Sequence, residues 1–258
     1  MSLLDEITVL ILTYNEEENL ERTLDGVRWA RRIVIIDSGS TDRTHDIARR
    51  HEQVEVIVHP FESHASQWNF GLDACGDSSD WILALDADYV LDNEFRSELA
   101  NLDPPDDVSA YEAPFRYCVH GRVLRGNIYP PVAVLYRRSR ARYVQSGHTQ
   151  RLKAQGTVRT LRSPIYHDDR KPLSRWFASQ QRYAKLEAAH LLSASELRLS
   201  DRIRRMAWPA PILVFFYTLI AKRCILDGWA GWFYVLQRTL AEIMVALELI
   251  DRRSRTRS

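Results

Sequence analysis

The chain is poor in cysteine: Cys75, Cys118 and Cys224 are its only three, far apart and in no metal-ligand spacing. An odd, scattered set excludes a disulfide framework and suits a reducing compartment. There is no glycine-rich loop ending in Lys-Ser/Thr and no G-x-G-x-x-G turn, which speaks against nucleoside-triphosphatase and dinucleotide-binding chemistry. Charge of one sign is also lacking. A formal net charge of +1 gives no global attraction to nucleic acid, so no nucleic-acid partner is expected. The apolar run at 208–221 contains two prolines and stops at Lys222-Arg223, short of the roughly 20 residues a membrane span needs. No basic segment followed by an apolar one opens the chain, so the expectation is a cytoplasmic protein without a secretory leader.

What is present has order. At 258 residues, 45% hydrophobic and 27% charged, the chain suits one substantial α/β domain with a smaller appendage. Short β-rich runs at 7–12, 33–36, 54–58 and 81–85 alternate with helical-period stretches at 17–28, 43–51 and 64–74. Strands spaced by single helices predict a mostly parallel central sheet with helices on both faces. After Asp103-Pro104-Pro105-Asp106-Asp107 come shorter strands at 111–117, 132–137 and 150–153, then a helical pattern over 172–192. This predicts a catalytic domain over 1–195, with halves 1–102 and 103–195, and apolar helices over 196–258. Acidic residues are frequent up to about Asp107 and Arg and Lys dominate afterwards. Arg198, Arg202, Arg204 and Arg205 precede the stretches 208–221 and 224–250, a pattern suited to helices lying in an anionic membrane surface. A buried helix pair, or an interface with a second copy, is the competing reading.

In an open parallel sheet, ligands bind beyond the carboxyl ends of the strands. Three strand ends here carry polar clusters: Thr13-Tyr14-Asn15-Glu16-Glu17, Asp37-Ser38-Gly39-Ser40-Thr41-Asp42 and Asp86-Ala87-Asp88. Asp86 and Asp88 can share a divalent cation and a ribose. Magnesium and manganese take one or two protein carboxylates plus substrate phosphates, and so neutralise charge on a leaving diphosphate. Asp37 is placed to accept hydrogen bonds from a base or ribose while Ser40 or Asp42 caps the next helix. Thr13 to Glu16 offers groups to a nucleotide, or Asn15 caps the helix after it.

TYNEE, DSGSTD and DAD, in this order after the first, second and fourth strands, resemble glycosyltransferase family 2 and its GT-A fold. Gln67-Trp68-Asn69-Phe70-Gly71 stands where that family has a polar, Asn-containing helix start. HDDRK at 167–171 and ILDGWAGWFYVLQ further on resemble the bacterial branch that includes lipopolysaccharide core glucosyltransferases. The resemblance implies nucleotide-sugar contacts from Thr13, Tyr14, Asn15, Glu16, Asp37, Ser38, Gly39, Gln67, Asn69, Asp86, Ala87, Asp88, Arg170 and Lys171. It also implies a manganese or magnesium ion held by Asp88 and His167. Tyr89 stands where the family often has a further acidic residue. The general base stays open between His148, Asp168 and Asp169, since Gly147-His148-Thr149-Gln150 replaces the family's usual His-Glu pair. The function implied is inverting transfer from a nucleotide-diphosphate sugar such as UDP-glucose to a lipid-linked or lipopolysaccharide-type saccharide at the cytoplasmic membrane face. Transfer to a polyprenyl phosphate, and a non-catalytic membrane scaffold, are the alternatives.

Overall fold

Period-two alternation builds the front of the molecule. The computed structural model describes residues 2–76, 79–146, 149–195 and 197–255. The apolar runs become β1 (Ile7–Thr13), β2 (Arg32–Asp37), β3 (Val54–Val58) and β4 (Trp81–Asp86). Val9 and Ile11 of β1 join Ile33, Ile35, Leu83 and Leu85 on one face. Leu10 joins Val34, Ile36, Ile82 and Ala84 on the other. Burial on both faces requires a helical layer on each, and every such side chain contributes about 1.5–3 kcal/mol. The first face receives α1 (Leu20–Gly26), α2 (Thr44–Ala48) and α4 (Asn93–Ala100) through Leu20, Leu24, Ile47, Phe95 and Leu99. The second receives α3 (His64–Ala74) through Trp68 and Leu72. A Cβ on Gly71 would lie 2.8 Å from Leu10 Cδ1, so glycine lets α3 approach β1 without displacing that side chain.

The remaining strands of this region are β5 (Tyr89–Val90), β6 (Val108–Ala113), β7 (Phe115–Val119), β9 (Val132–Arg137), β10 (Ala141–Ser146), β11 (Thr149–Ala154), β12 (Thr157–Thr160) and β13 (Ile165–His167); β8 (Arg122–Val123) lies in an excursion described below. The main sheet has the order β12-β6-β9-β4-β1-β2-β3. Its pairings are parallel except where β9 lies antiparallel to both β4 and β6, so the sheet is mixed, with parallel pairing predominant as expected. The single strand expected over 111–117 is two, because Pro114 cannot donate to a ladder and divides β6 from β7. The expected helices at 17–28 and 43–51 are shorter, since residues 14–19 and 38–43 are committed to loops.

The chain divides into two units, 1–118 with 129–170, and 119–128 with 171–258. The expected boundary lay after 195. α5 (Leu173–Ser193) belongs with the C-terminal helices because Ala184, Ala188 and Leu191 pack with Val245 and Leu249 of α8 (Gly228–Arg255). Arg204, in α6 (Leu199–Arg205), bridges Glu187 of α5 and Glu242 of α8. The second unit also holds α7 (Pro209–Phe216), a π-helical turn over Tyr217–Ala221 and a 3-10 turn over Cys224–Asp227. A Cβ on Gly231 would meet Cys224 O, so glycine lets the start of α8 pack against that turn. Among the described residues no single helix is long and apolar enough to cross a membrane.

Candidate active site

Register brings the three polar strand ends together. Thr13 stands beside Asp37 in the β1–β2 pairing, and Leu12 beside Asp86 in the β1–β4 pairing. All three strands run the same way, so their carboxyl ends share one edge of the sheet.

The first two clusters are fastened to each other. Thr13 Oγ1 donates to Asp37 Oδ2 at 2.7 Å, and Ser40 Oγ to the same oxygen at 2.5 Å. Asp37 Oδ1 accepts from Gly39 N and Ser40 N at 2.9 and 2.7 Å, and His45 Nε2 stands 2.9 Å from it. Burial pushes the Asp37 carboxyl up. The bonds from Ser40, then from His45 and Thr13, outweigh it and hold the group below its ordinary value. Asp37 is wholly inaccessible. Asp37 was expected to face a base or ribose; in this structure its carboxylate is engaged in organising the loop.

Asn15, at φ 55°, sits in the left-handed region that asparagine tolerates. Its Oδ1 accepts from Thr41 N at 2.7 Å and its own N–H donates to Ser40 Oγ at 2.7 Å. It thus secures the second loop and does not cap α1. Glu16 N donates to Thr44 Oγ1 and Glu17 N to Asp42 Oδ2. Tyr14 remains exposed at the rim. Glu17, Glu18 and Asp42 bring carboxylate oxygens together, but Glu17 also accepts from Arg43, and Asp42 from Thr44. This acidic group belongs to the loop junction.

Gln67 and Asn69, both expected at the nucleotide, also hold protein together. Buried Gln67 donates to Ser38 Oγ and to the carbonyl of His59. Asn69 makes a two-way pair with the backbone of Tyr143, 2.9 Å in each direction. The Asn69 amide replaces ladder bonds that α3 cannot offer to β10.

The third cluster is different. β4 ends at Asp86, the chain turns through Ala87 and Asp88, and β5 pairs antiparallel with β13 so that Tyr89 stands opposite His167. Asp168 N donates to Asp88 O at 3.0 Å. The result is His167 Nε2 at 3.2 Å from Asp88 Oδ2, joining residues 79 positions apart. Tyr117, on β7, stacks on the His167 ring at 4.9 Å, while Tyr89 and Phe115 approach it at 5.9 and 5.5 Å. His167 Nδ1 is buried and has no hydrogen-bond partner among the described residues. Burial pulls the imidazole pKa down, but Asp88, Asp169 and Asp86 pull it up further, leaving it above its ordinary value. An imidazole held against a carboxylate fits a divalent cation, which would displace the proton and draw its remaining ligands from phosphate oxygens and water.

The loop after His167 is held by residues that sequence reasoning missed. Arg22 Nη1 donates to Asp168 Oδ2 at 2.7 Å, and Arg170 reaches the same oxygen at 2.7–2.8 Å. Asn19 donates to Glu16 and to Asp169 Oδ1, each at 2.9 Å, and accepts from Arg22 and from Arg170 N. Thr23 Oγ1 donates to Ala87 O at 2.6 Å. α1 is thereby a strut between the TYNEE loop, the DAD turn and the HDDR loop. The only sequence signal was Asn19, Arg22 and Thr23 lying between the apolar positions of one short helix. Asp168, buried and clamped by two guanidinium groups, cannot serve as the base. The Arg170 guanidinium holds Asp168 in place of a diphosphate, Lys171 lies in the second unit, and His148 lies outside the described residues. Asp169 remains.

The family model described as "Glycosyl transferase family 2" matches residues 8–155, more than half of the chain. The chain belongs to that family. This family 2 glycosyltransferase is 25% identical over 244 residues to an uncharacterised glycosyltransferase of Rickettsia bellii, covering 88% of this chain and 80% of the relative. It is 31% identical over 100 residues to the lipopolysaccharide core biosynthesis glycosyltransferase LpsC of Rhizobium meliloti, where the match spans 37% of this chain and about a third (36%) of the relative. The crystal structure of S. aureus TarS 1–349 in complex with UDP-GlcNAc superposes with a TM-score of 0.48 at 14% identity, covering 96% of this chain and 92% of that one.

Proposed function

We propose that the protein transfers a hexose, with inversion, from a UDP-sugar to a saccharide of the lipopolysaccharide-core type on the cytoplasmic side of a membrane. One observation carries the reading: Asp88 and His167 meet at the carboxyl edge of the sheet, beside Asp86 and the two fastened loops. The acceptor class comes from the likeness to LpsC. The three cysteines, buried and in no disulfide with one another, accord with a reducing compartment.

Asp88 and His167 would hold a manganese or magnesium ion, with Asp86 near the ribose. Such an ion supplies charge neutralisation to a leaving diphosphate. Tyr117, Tyr89 and Phe115 fix the His167 ring and keep water from one side of it. Thr13 and Asp37 hold the loop that carries Tyr14 at the rim, where an aromatic ring can stack on a base. Asp169 is steadied by Asn19 at one oxygen, and a carboxylate so held can take the proton of an acceptor hydroxyl as it attacks the anomeric carbon.

The test is isothermal titration of UDP into the purified protein with and without manganese, together with metal-dependent release of UDP from UDP-sugars. Manganese-dependent binding that Asp88→Asn and His167→Gln both abolish, with each variant still melting cooperatively, is the expected result. Full transfer by Asp88→Asn in the presence of manganese would remove the metal assignment.

A further inference from the structure

We propose that the second unit docks on an anionic lipid bilayer as a shallow wedge made by α7, the turns after it and the start of α8. This goes beyond the proposed chemistry and does not depend on it.

Between Trp208 and Leu226 the only charged residues are Lys222 and Arg223. Trp208, Ile212, Phe216, Ile220, Leu226 and Trp229 nevertheless all point outward, with 49–69% of their surface accessible. Large side chains of this kind are normally the ones a helix hides. The segment is not a span. Residues 209–221 rise only about 20 Å as a helix, against a hydrocarbon core of about 30 Å, and α8 departs at 66° to that helix. A bent pair with aromatic and aliphatic residues on its outer side is suited to lie at the level of the headgroups.

Charge selects the occupant. The second unit carries 17 Lys and Arg against 7 Asp and Glu, a formal +10 within a chain whose total is +1. The acids nearest the apolar surface are already matched: Asp227 accepts from Arg125, and Glu242 from Arg204. Arg122 lies over the Trp229 ring at 5.2 Å and Lys222 over Tyr217 at 5.3 Å, cation beside aromatic, as at a membrane–water boundary. Two +10 units would repel one another across an interface, whereas phosphatidylglycerol headgroups attract them. A bilayer therefore fits this surface better than a second copy.

The experiment is flotation of the full chain with vesicles of phosphatidylcholine alone and with about 30% phosphatidylglycerol, at low and high salt. Brominated acyl chains report in parallel on quenching of tryptophan fluorescence. Expected are binding to the anionic vesicles that weakens with salt, quenching by the bromolipid, and at least a tenfold loss of binding in Phe216→Ser/Ile220→Ser, whose melting temperature stays that of the parent. Lys222→Gln/Arg223→Gln should reduce the preference for anionic lipid. Wild-type protein that neither floats nor is quenched would overturn the proposal. So would a dimer in light scattering that the Phe216→Ser/Ile220→Ser variant converts to monomer without any vesicle binding, because the surface would then be an interface between copies. Should the double variant fail to fold, wild-type flotation and quenching still decide.

Discussion

The two units use polar and apolar residues in opposite ways. In the first, net formal −9 by difference from the whole chain, aliphatic side chains are inside and the buried polar groups are spent on each other: Asp37 on Ser40 and Thr13, Gln67 on Ser38 and His59, Asp168 on Arg22 and Arg170. In the second, net +10, Trp208, Phe216 and Ile220 face outward and the ion pair Arg204–Glu242 lies among helices. A buried hydrogen-bond network fixes loops to fractions of an ångström, which chemistry needs. Apolar contact with a partner is non-directional and makes no such demand.

The sharpest division between the units comes from Asp88→Asn. Transfer should fall by on the order of 10²–10³-fold, the usual cost of removing one group that stabilises developing charge, and melting should barely move. Steady-state kinetics beside calorimetry checks it; equal losses in both would make Asp88 structural. Next is Asp37→Asn, expected to cost about 2–3 kcal/mol, because an amide offers one uncharged acceptor oxygen where four donors converge on two, in a site closed to water. Urea denaturation measures it, and a neutral result would mean the loop is not held as described.

Arg22→Met should cost less, about 1–2 kcal/mol, since Arg170 still faces Asp168 and the Arg22 side chain is 30% exposed. The transfer rate should fall along with stability, as α1 no longer steadies the Asp169 loop. Acid should also act first on the front unit. Asp37, Asp80 and Glu98 are all held below their ordinary values by hydrogen bonds that outweigh burial. A carboxyl lowered on folding stabilises above its unfolded value of about 4, and that contribution is lost as pH falls towards the folded value. Melting temperature should therefore drop below about pH 4, with a shallower slope in Asp37→Asn. The smallest effect belongs to Phe216→Ser, within about 0.5 kcal/mol in lipid-free buffer, because its side chain is already in water.

Much of the front unit was legible. Alternating runs such as residues 33–36 and 54–58 can bury both faces only as central strands, and the polar triplets at their ends mark the ligand edge. Asp88 and His167 were nameable as a pair by resemblance. What brings them together is the β5–β13 pairing, two and three residues long, too short to leave a periodic signal. Gln67 and Asn69 read as ligand groups, and Asp168 as a base, because a polar side chain in a motif looks the same whether its partner is a substrate or another part of the protein. Asn19 and Arg22 were missed for the converse reason, being ordinary polar residues of a short helix.

By itself the sequence determined the sheet, its two helical layers, the strand-end clusters and the apolar tail, all consequences of local periodicity and composition. Only the tertiary structure decided which carboxylates are consumed internally, which imidazole meets Asp88, and where the chain divides. Those outcomes depend on partners far apart in the chain, and hydrogen bonding and charge pairing act through space with no regard for sequence distance.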